Sequence, residues 1–164
     1  MIAEAESFRY RDGRLYCEDV AVEDLAERHG TPLYVYSRAH LVRQYRRLAE
    51  ALREVSPAIH YAVKANTCGA LIRVLAAEGA GADVVSGGEL WRARRAVVPA
   101  ERIAVAGVGK TREEIEYALR EGIGYFTVES EPELERIAAT ARELGGTARI
   151  AIRVNPDEDP RTHV

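Results

Sequence analysis

Residues 59–90 read IHYAVKANTCGALIRVLAAEGAGADVVSGGEL, and this stretch decides the fold. It opens with a short apolar run, Ile59 to Lys64, that reads as a strand. A helical pattern follows from Leu71 to Glu78 and stops at Gly79. A second apolar run, Ala82 to Ser86, leads into another helix from about Gly88 to Val97, broken at Pro99. Downstream the same unit returns. Ile103 to Ala106 is a third strand, Tyr125 to Val128 a fourth and Ala148 to Val154 a fifth. Between them, Thr111-Arg-Glu-Glu114 and Ser130-Glu-Pro-Glu133 both have the form of a capping box that opens a helix. The first of these helices stops near Gly122. The second carries Leu134, Ile137, Ala138 and Ala141 on one face and ends at Gly145-Gly146. Strand and helix thus alternate roughly every 20 residues, the rhythm of βα units. The strands read as apolar rather than alternating, which predicts a parallel sheet buried on both faces. A doubly wound sheet and a (β/α)8 barrel both fit, and periodicity alone does not choose between them.

Upstream the pattern differs. Phe8 to Glu18 reads as a hairpin around Asp12-Gly13. A short helix, Val22 to His29, is stopped by Gly30, and Leu33-Tyr-Val-Tyr36 has the composition of a strand. Ser37 then caps a helix with Leu41, Val42, Tyr45, Leu48 and Leu52 on one face.

The 164 residues are enough for one domain with a real core. Hydrophobic residues make up 47% and charged residues 30%, ordinary values for a globular chain. No apolar run is long enough to span a bilayer, and Met1 to Tyr10 has no signal-peptide core, so neither a membrane nor a secretion signal is expected. A net charge of −3 gives no reason to expect nucleic acid. Cys17 and Cys68 have neither zinc-finger nor C-x-x-C spacing, and His29, His40, His60 and His163 include no i, i+4 pair. No metal is therefore expected, and a reduced, cytoplasmic chain is the default reading.

Lys64 is the residue to explain. It ends a strand, at the end where sites gather in barrels and doubly wound sheets. Apolar surroundings would lower its pKa, and a neutral amine is what attacks an aldehyde. Position alone leaves a second reading open, a lysine that snorkels from a strand end. Asp83 closes the second strand and reads either as a site carboxylate or as a loop acid with a local backbone bond. Arg153 lies in the otherwise apolar stretch Ala151 to Val154, where a buried arginine needs a partner. Glu89, after Gly87-Gly88, could equally favour a helix N-terminus. Gly109-Lys-Thr111 has the look of a P-loop, but that motif needs a glycine where Ala104 stands, so two glycines and a capping Thr explain it better.

The residues flanking Lys64 narrow these alternatives. Tyr61-Ala-Val-Lys-Ala-Asn66 resembles the cofactor-lysine motif of the fold-type III pyridoxal-phosphate enzymes. Gly81-Ala-Asp-Val-Val-Ser-Gly-Gly-Glu-Leu90 resembles the next block of their decarboxylase branch. Ile152-Arg-Val-Asn-Pro156 resembles the block at the fifth strand. Gly30-Thr-Pro-Leu-Tyr-Val-Tyr36 resembles the N-terminal segment of that branch, especially its diaminopimelate members. The four blocks stand in the family order and the resemblance covers about Phe8 to His163.

The resemblance implies a (β/α)8 barrel of the alanine racemase/ornithine decarboxylase type, here incomplete with about five strands, plus a β-domain segment. Residues 1–33 would contribute to the β-domain and 34–164 to the barrel. Pyridoxal 5'-phosphate is the implied cofactor and Lys64 its Schiff-base lysine, with Asp83, Arg153 and Glu89 around the cofactor site. The implied activity is decarboxylation of an amino acid, diaminopimelate to lysine, by an enzyme that is a homodimer at full length. Decarboxylases of ornithine, arginine or carboxynorspermidine are the near alternatives, and a non-catalytic pyridoxal-phosphate carrier a more distant one. Family members hold the phosphate, the pyridine nitrogen and the substrate with residues from later strands and from the partner subunit. The chain is therefore expected to be an N-terminal fragment, inactive alone.

Overall fold

The computed structural model describes residues 7–156. They group into two compact units, the described residues of Met1–Pro57 with Ala77–Gly79, and those of Ala58–Ala76 with Ala80–Val164. In the first unit, β1 (Phe8–Arg11) and β2 (Arg14–Cys17) form the expected antiparallel hairpin, and β3 (Val20–Ala21) adds a third strand. Asp12 and Gly13, at φ 50° and 77°, make its two-residue turn, a conformation that matches the twist of the flanking strands. Helix α1 (Val22–His29) ends where the Gly30 N–H donates to the Ala26 carbonyl at 2.8 Å. Helix α2 (Arg38–Ala51) is capped as expected, Ser37 Oγ accepting the His40 N–H at 3.0 Å. Glu18 adds a second cap, its Oε1 accepting from both Ser37 Oγ and the Ala39 N–H at 2.8 Å. These bonds, the Ala39 one foremost, hold the Glu18 carboxyl below the usual range.

Leu33–Tyr36 is not a strand. No sheet among the described residues takes it up, and Tyr34 and Tyr36 are exposed. Its β-branched and aromatic composition fits a pleated, half-buried surface, but strand propensity expresses itself only against a neighbour.

The second unit is a five-stranded parallel sheet in the order β4 (His60–Ala62), β5 (Gly81–Val84), β6 (Ile103–Val105), β7 (Tyr125–Val128) and β8 (Ile150–Ile152). Helices α3 (Gly69–Ala77), α4 (Gly87–Arg95), α5 (Arg112–Glu121) and α6 (Glu131–Glu143) connect them. Every strand pairs with the next in sequence and the order never reverses. A doubly wound sheet reverses at its switch point, whereas a barrel does not, so this is barrel topology, five strands of the eight that closure needs. No helix among the described residues is long and apolar enough to cross a membrane.

The strands alternate after all. Tyr61, Val63, Ala82, Val84, Ile103, Val105, Phe126 and Val128 belong to one face and pack with Ile72, Leu90, Ile115 and Ile137 of the helices into the main core. The register puts His60, Ala62, Gly81, Asp83, Ala104, Tyr125, Thr127 and Ala151 on the other face. Central β6 is buried throughout, while β8 is exposed along its whole length. The expectation of strands buried on both faces thus holds for β6 and is corrected for the other strands, most fully for β8. The second face carries alanines, which the pattern counts as apolar, between polar residues.

The helix starts also separate. Thr111 forms its capping box in full, Oγ1 accepting the Glu114 N–H at 3.2 Å while Glu114 Oε2 accepts the Thr111 N–H at 3.1 Å. Ser130 makes no side-chain cap bond. Its partner Glu133 is buried and turned elsewhere, to Lys110 and to the Glu129 N–H. A buried ammonium outcompetes the Ser130 backbone N–H, the donor a capping box would offer, for that carboxylate.

Candidate active site at the C-terminal end of the sheet

The C-terminal ends of β4 to β8 form a rim above the second face. Strand β4 stops at Ala62, and a 3-10 turn, Val63–Ala65, carries Lys64 beyond it. Val63 anchors this turn in the core, and Tyr61 Oη closes it by donating to the Asn66 carbonyl at 3.0 Å. Lys64 is exposed, so the apolar enclosure expected from its sequence neighbours is not supplied by the described residues. The flanking Val63 turns into the core and Ala62 belongs to the sheet, while Ala65 is exposed like Lys64 itself.

Asp83 stands on the adjacent strand, paired in register with Ala62. It is half-buried. Burial pushes its carboxyl up, and the positive charges of Lys64 and His60 pull it back. His60 shares this face lower down, where its ring centroid lies 6.2 Å from that of Tyr125. Gly81 makes room for that ring. A Cβ at residue 81 would lie 2.3 Å from the Arg102 carbonyl oxygen and 2.6 Å from the His60 ring, so only glycine fits.

Arg153 follows β8 at the far end of the sheet and extends its ladder, its N–H donating to the Val128 carbonyl at 2.9 Å. Its side chain is exposed rather than buried, because β8 has no neighbour on its outer side among the described residues. It does have the partner expected of it. Nη1 lies 3.3 and 3.4 Å from the two Glu129 carboxylate oxygens, and Nε donates to Asn155 Oδ1 at 3.1 Å. Glu89 is engaged in the loop after β5. Its Oε2 accepts the Val85 N–H at 2.9 Å, while Ser86 Oγ accepts the Glu89 N–H at 3.2 Å.

Lys64, Asp83 and His60 are therefore brought together by β4, the turn after it and β5, Glu89 sits in the first turn of α4 just above, and Arg153 stands three strands from Asp83. The sequence reading overlooked His60, Tyr125, Thr127 and Glu129. Period-two alternation would have found the first three, each two or four residues from an assigned position on its own or a paired strand. It also missed the use of Lys110. This residue is buried and donates to backbone carbonyls, which agrees with rejecting a P-loop.

An amine, a carboxyl and a guanidinium on a face cleared by Ala62, Gly81, Ala104 and Ala151 suit a flat, anionic, aldehyde-bearing group. The donor set thus fits pyridoxal phosphate. The matching family model is described as "Pyridoxal-dependent decarboxylase, pyridoxal binding domain" and covers residues 38–164. Among curated relatives, diaminopimelate decarboxylase of Pseudomonas fluorescens is 50% identical over 159 residues, 96% of this chain and 38% of its own. That of Aquifex aeolicus is 51% identical over 156 residues, 94% of this chain and 36% of its own. The solved diaminopimelate decarboxylase of M. jannaschii in complex with L-lysine superposes with a TM-score of 0.90 at 41% identity, covering 96% of this chain and 38% of that one. The chain thus spans a little over a third of the length of these relatives.

Proposed function

The chain belongs to the pyridoxal-dependent decarboxylases, and from that premise we propose that it is the N-terminal part of an enzyme that decarboxylates diaminopimelate to lysine. Identity near 50% to decarboxylases of that substrate supports the choice. The structural observation that carries the reading is Lys64 in the turn just past β4, its charge acting on Asp83 of adjacent β5, above a face cleared of bulky side chains.

In this reading Lys64 would hold the cofactor through Nζ and, when not so engaged, could carry a proton at that nitrogen. Asp83 responds to the charge on Lys64. A charged amine beside it favours the carboxylate, and a neutral amine lets burial favour the acid. Arg153, steadied by Glu129, presents positive charge from the opposite side of the rim. Glu89 acts by fixing the Val85–Gly88 loop above β5. When bound, pyridoxal phosphate supplies the electron-withdrawing ring that accepts the electron pair left as CO2 departs. The rest of the protein, and a second subunit, supply the phosphate and substrate contacts.

The test is chemical trapping. The full-length protein is incubated with pyridoxal phosphate, reduced with borohydride and mapped by mass spectrometry. The adduct is expected on Lys64 and lost in K64A. Specific labelling elsewhere, with Lys64 unmodified, would sink the assignment.

A further inference from the structure

Lys110 and Glu133 have no part in the site as drawn, yet both are buried, with side chains 4% and 6% exposed and Nζ to Oε1 at 3.0 Å. Lys110 Nζ also donates to the Gly107 carbonyl at 2.8 Å and the Thr127 carbonyl at 2.7 Å, which uses all three of its protons. Glu133 Oε2 accepts the Glu129 N–H at 2.9 Å. A buried ion pair adds little stability over apolar residues of equal volume, so its effect is to fix the groups it bonds. Here those groups all belong to the rim. Gly107 opens the loop after β6, Thr127 lies near the end of β7, and Glu129 follows β7 and holds Arg153.

The line of contact continues the other way. Gly107 has φ 102°, and a Cβ there would come within 3.1 Å of Val85 Cβ and 3.2 Å of the Val85 carbonyl oxygen. The loop after β6 therefore presses on the loop after β5, where Glu89 fixes Val85. Glu114 adds a third tie, its Oε1 accepting the Gly87 N–H at 2.8 Å.

We infer that Lys110 and Glu133 are positioning residues, a buried pair beneath the rim that sets Glu129 and Arg153 on one side and the β5 loop on the other, and thereby the affinity for pyridoxal phosphate. Neither touches the cofactor. The inference rests on the reading that this rim is the cofactor mouth.

The experiment compares E133Q, K110M and I137V in the full-length protein. Pyridoxal phosphate affinity is read by absorbance titration, hydrogen exchange at the Glu129 amide by mass spectrometry or NMR, and stability by thermal melting. E133Q and K110M are each expected to weaken cofactor binding by about tenfold and to speed exchange at Glu129. I137V, in the same helix but packed in the outer core, should lower the melting temperature and leave the affinity unchanged. Should K110M fail to fold, E133Q decides, since it keeps the volume and the acceptor for the Glu129 N–H. Parent affinity in folded E133Q would overturn the inference, as would an equal loss in I137V. Failure of the parent to label Lys64 would instead overturn the reading beneath it.

Discussion

Val97 follows helix α4 in the left-handed conformation, with φ 61°, and is 69% exposed. The Val98 N–H donates to the Ala93 carbonyl and the Val97 N–H to that of Arg94, the paired bonds of a Schellman ending, in which this position is usually glycine. A β-branched side chain there is strained, and at 69% exposure it returns little by packing. V97G is expected to raise stability by roughly 0.5–1 kcal/mol, the strain relieved exceeding the entropy glycine adds to the unfolded chain. A lower urea midpoint would show that the side chain contributes contacts. Single residues were unevenly legible. Lys64 was singled out by its neighbours, and Arg153 by an apolar context that demanded a partner, which Glu129 supplies. Lys110 did not, because Val108, Gly109, Thr111 and Arg112 around it look like a surface turn, and its burial is made by Gly107, Thr127 and Glu133 arriving from elsewhere.

Among the elements, three successive helices open with the same letters, Ser86-x-x-Glu89, Thr111-x-x-Glu114 and Ser130-x-x-Glu133, and behave differently. T111A is expected to cost about 1 kcal/mol, because it removes a formed cap, while S130A should cost no more than a few tenths. Equal losses in chemical denaturation would contradict the geometry. The motif announced the helix starts at Thr111 and Ser130 correctly and said nothing of where its carboxylate would go, since that depends on what lies within reach in three dimensions. Strands show a similar limit. Ala62, Ala104 and Ala151 disguised the second face in β4, β6 and β8, so the five strands were legible and their two faces were not. Leu33–Tyr36 had strand composition but lacks a partner among the described residues.

The order of elements along the chain announced the βα architecture, but only the unbroken β4–β8 pairing distinguishes a barrel sheet from a doubly wound one. That pairing leaves β8 at an edge with Ile152 71% exposed, beside an apolar groove of about 350 Å3 lined by Leu134, Ile137, Ala138, Ala141, Ala148 and Ile150. This groove faces the helices, away from Lys64, and is read here as unfilled core rather than as a ligand site. An open strand edge next to an apolar cleft invites pairing with another chain. The 164-residue chain produced alone is expected to self-associate with rising concentration in size-exclusion chromatography, and I152K to reduce this. Elution at 18.1 kDa at every concentration would count against it. The two-faced sheet also sets which changes of length the protein tolerates. One residue inserted into β5 ahead of Asp83 would turn that carboxylate into the helix-packed core and deliver Val84 to the rim, reversing every later position of the strand. Insertions and deletions should therefore be confined to the connections between strands, where the chain can lengthen without exchanging its chemistry for its core.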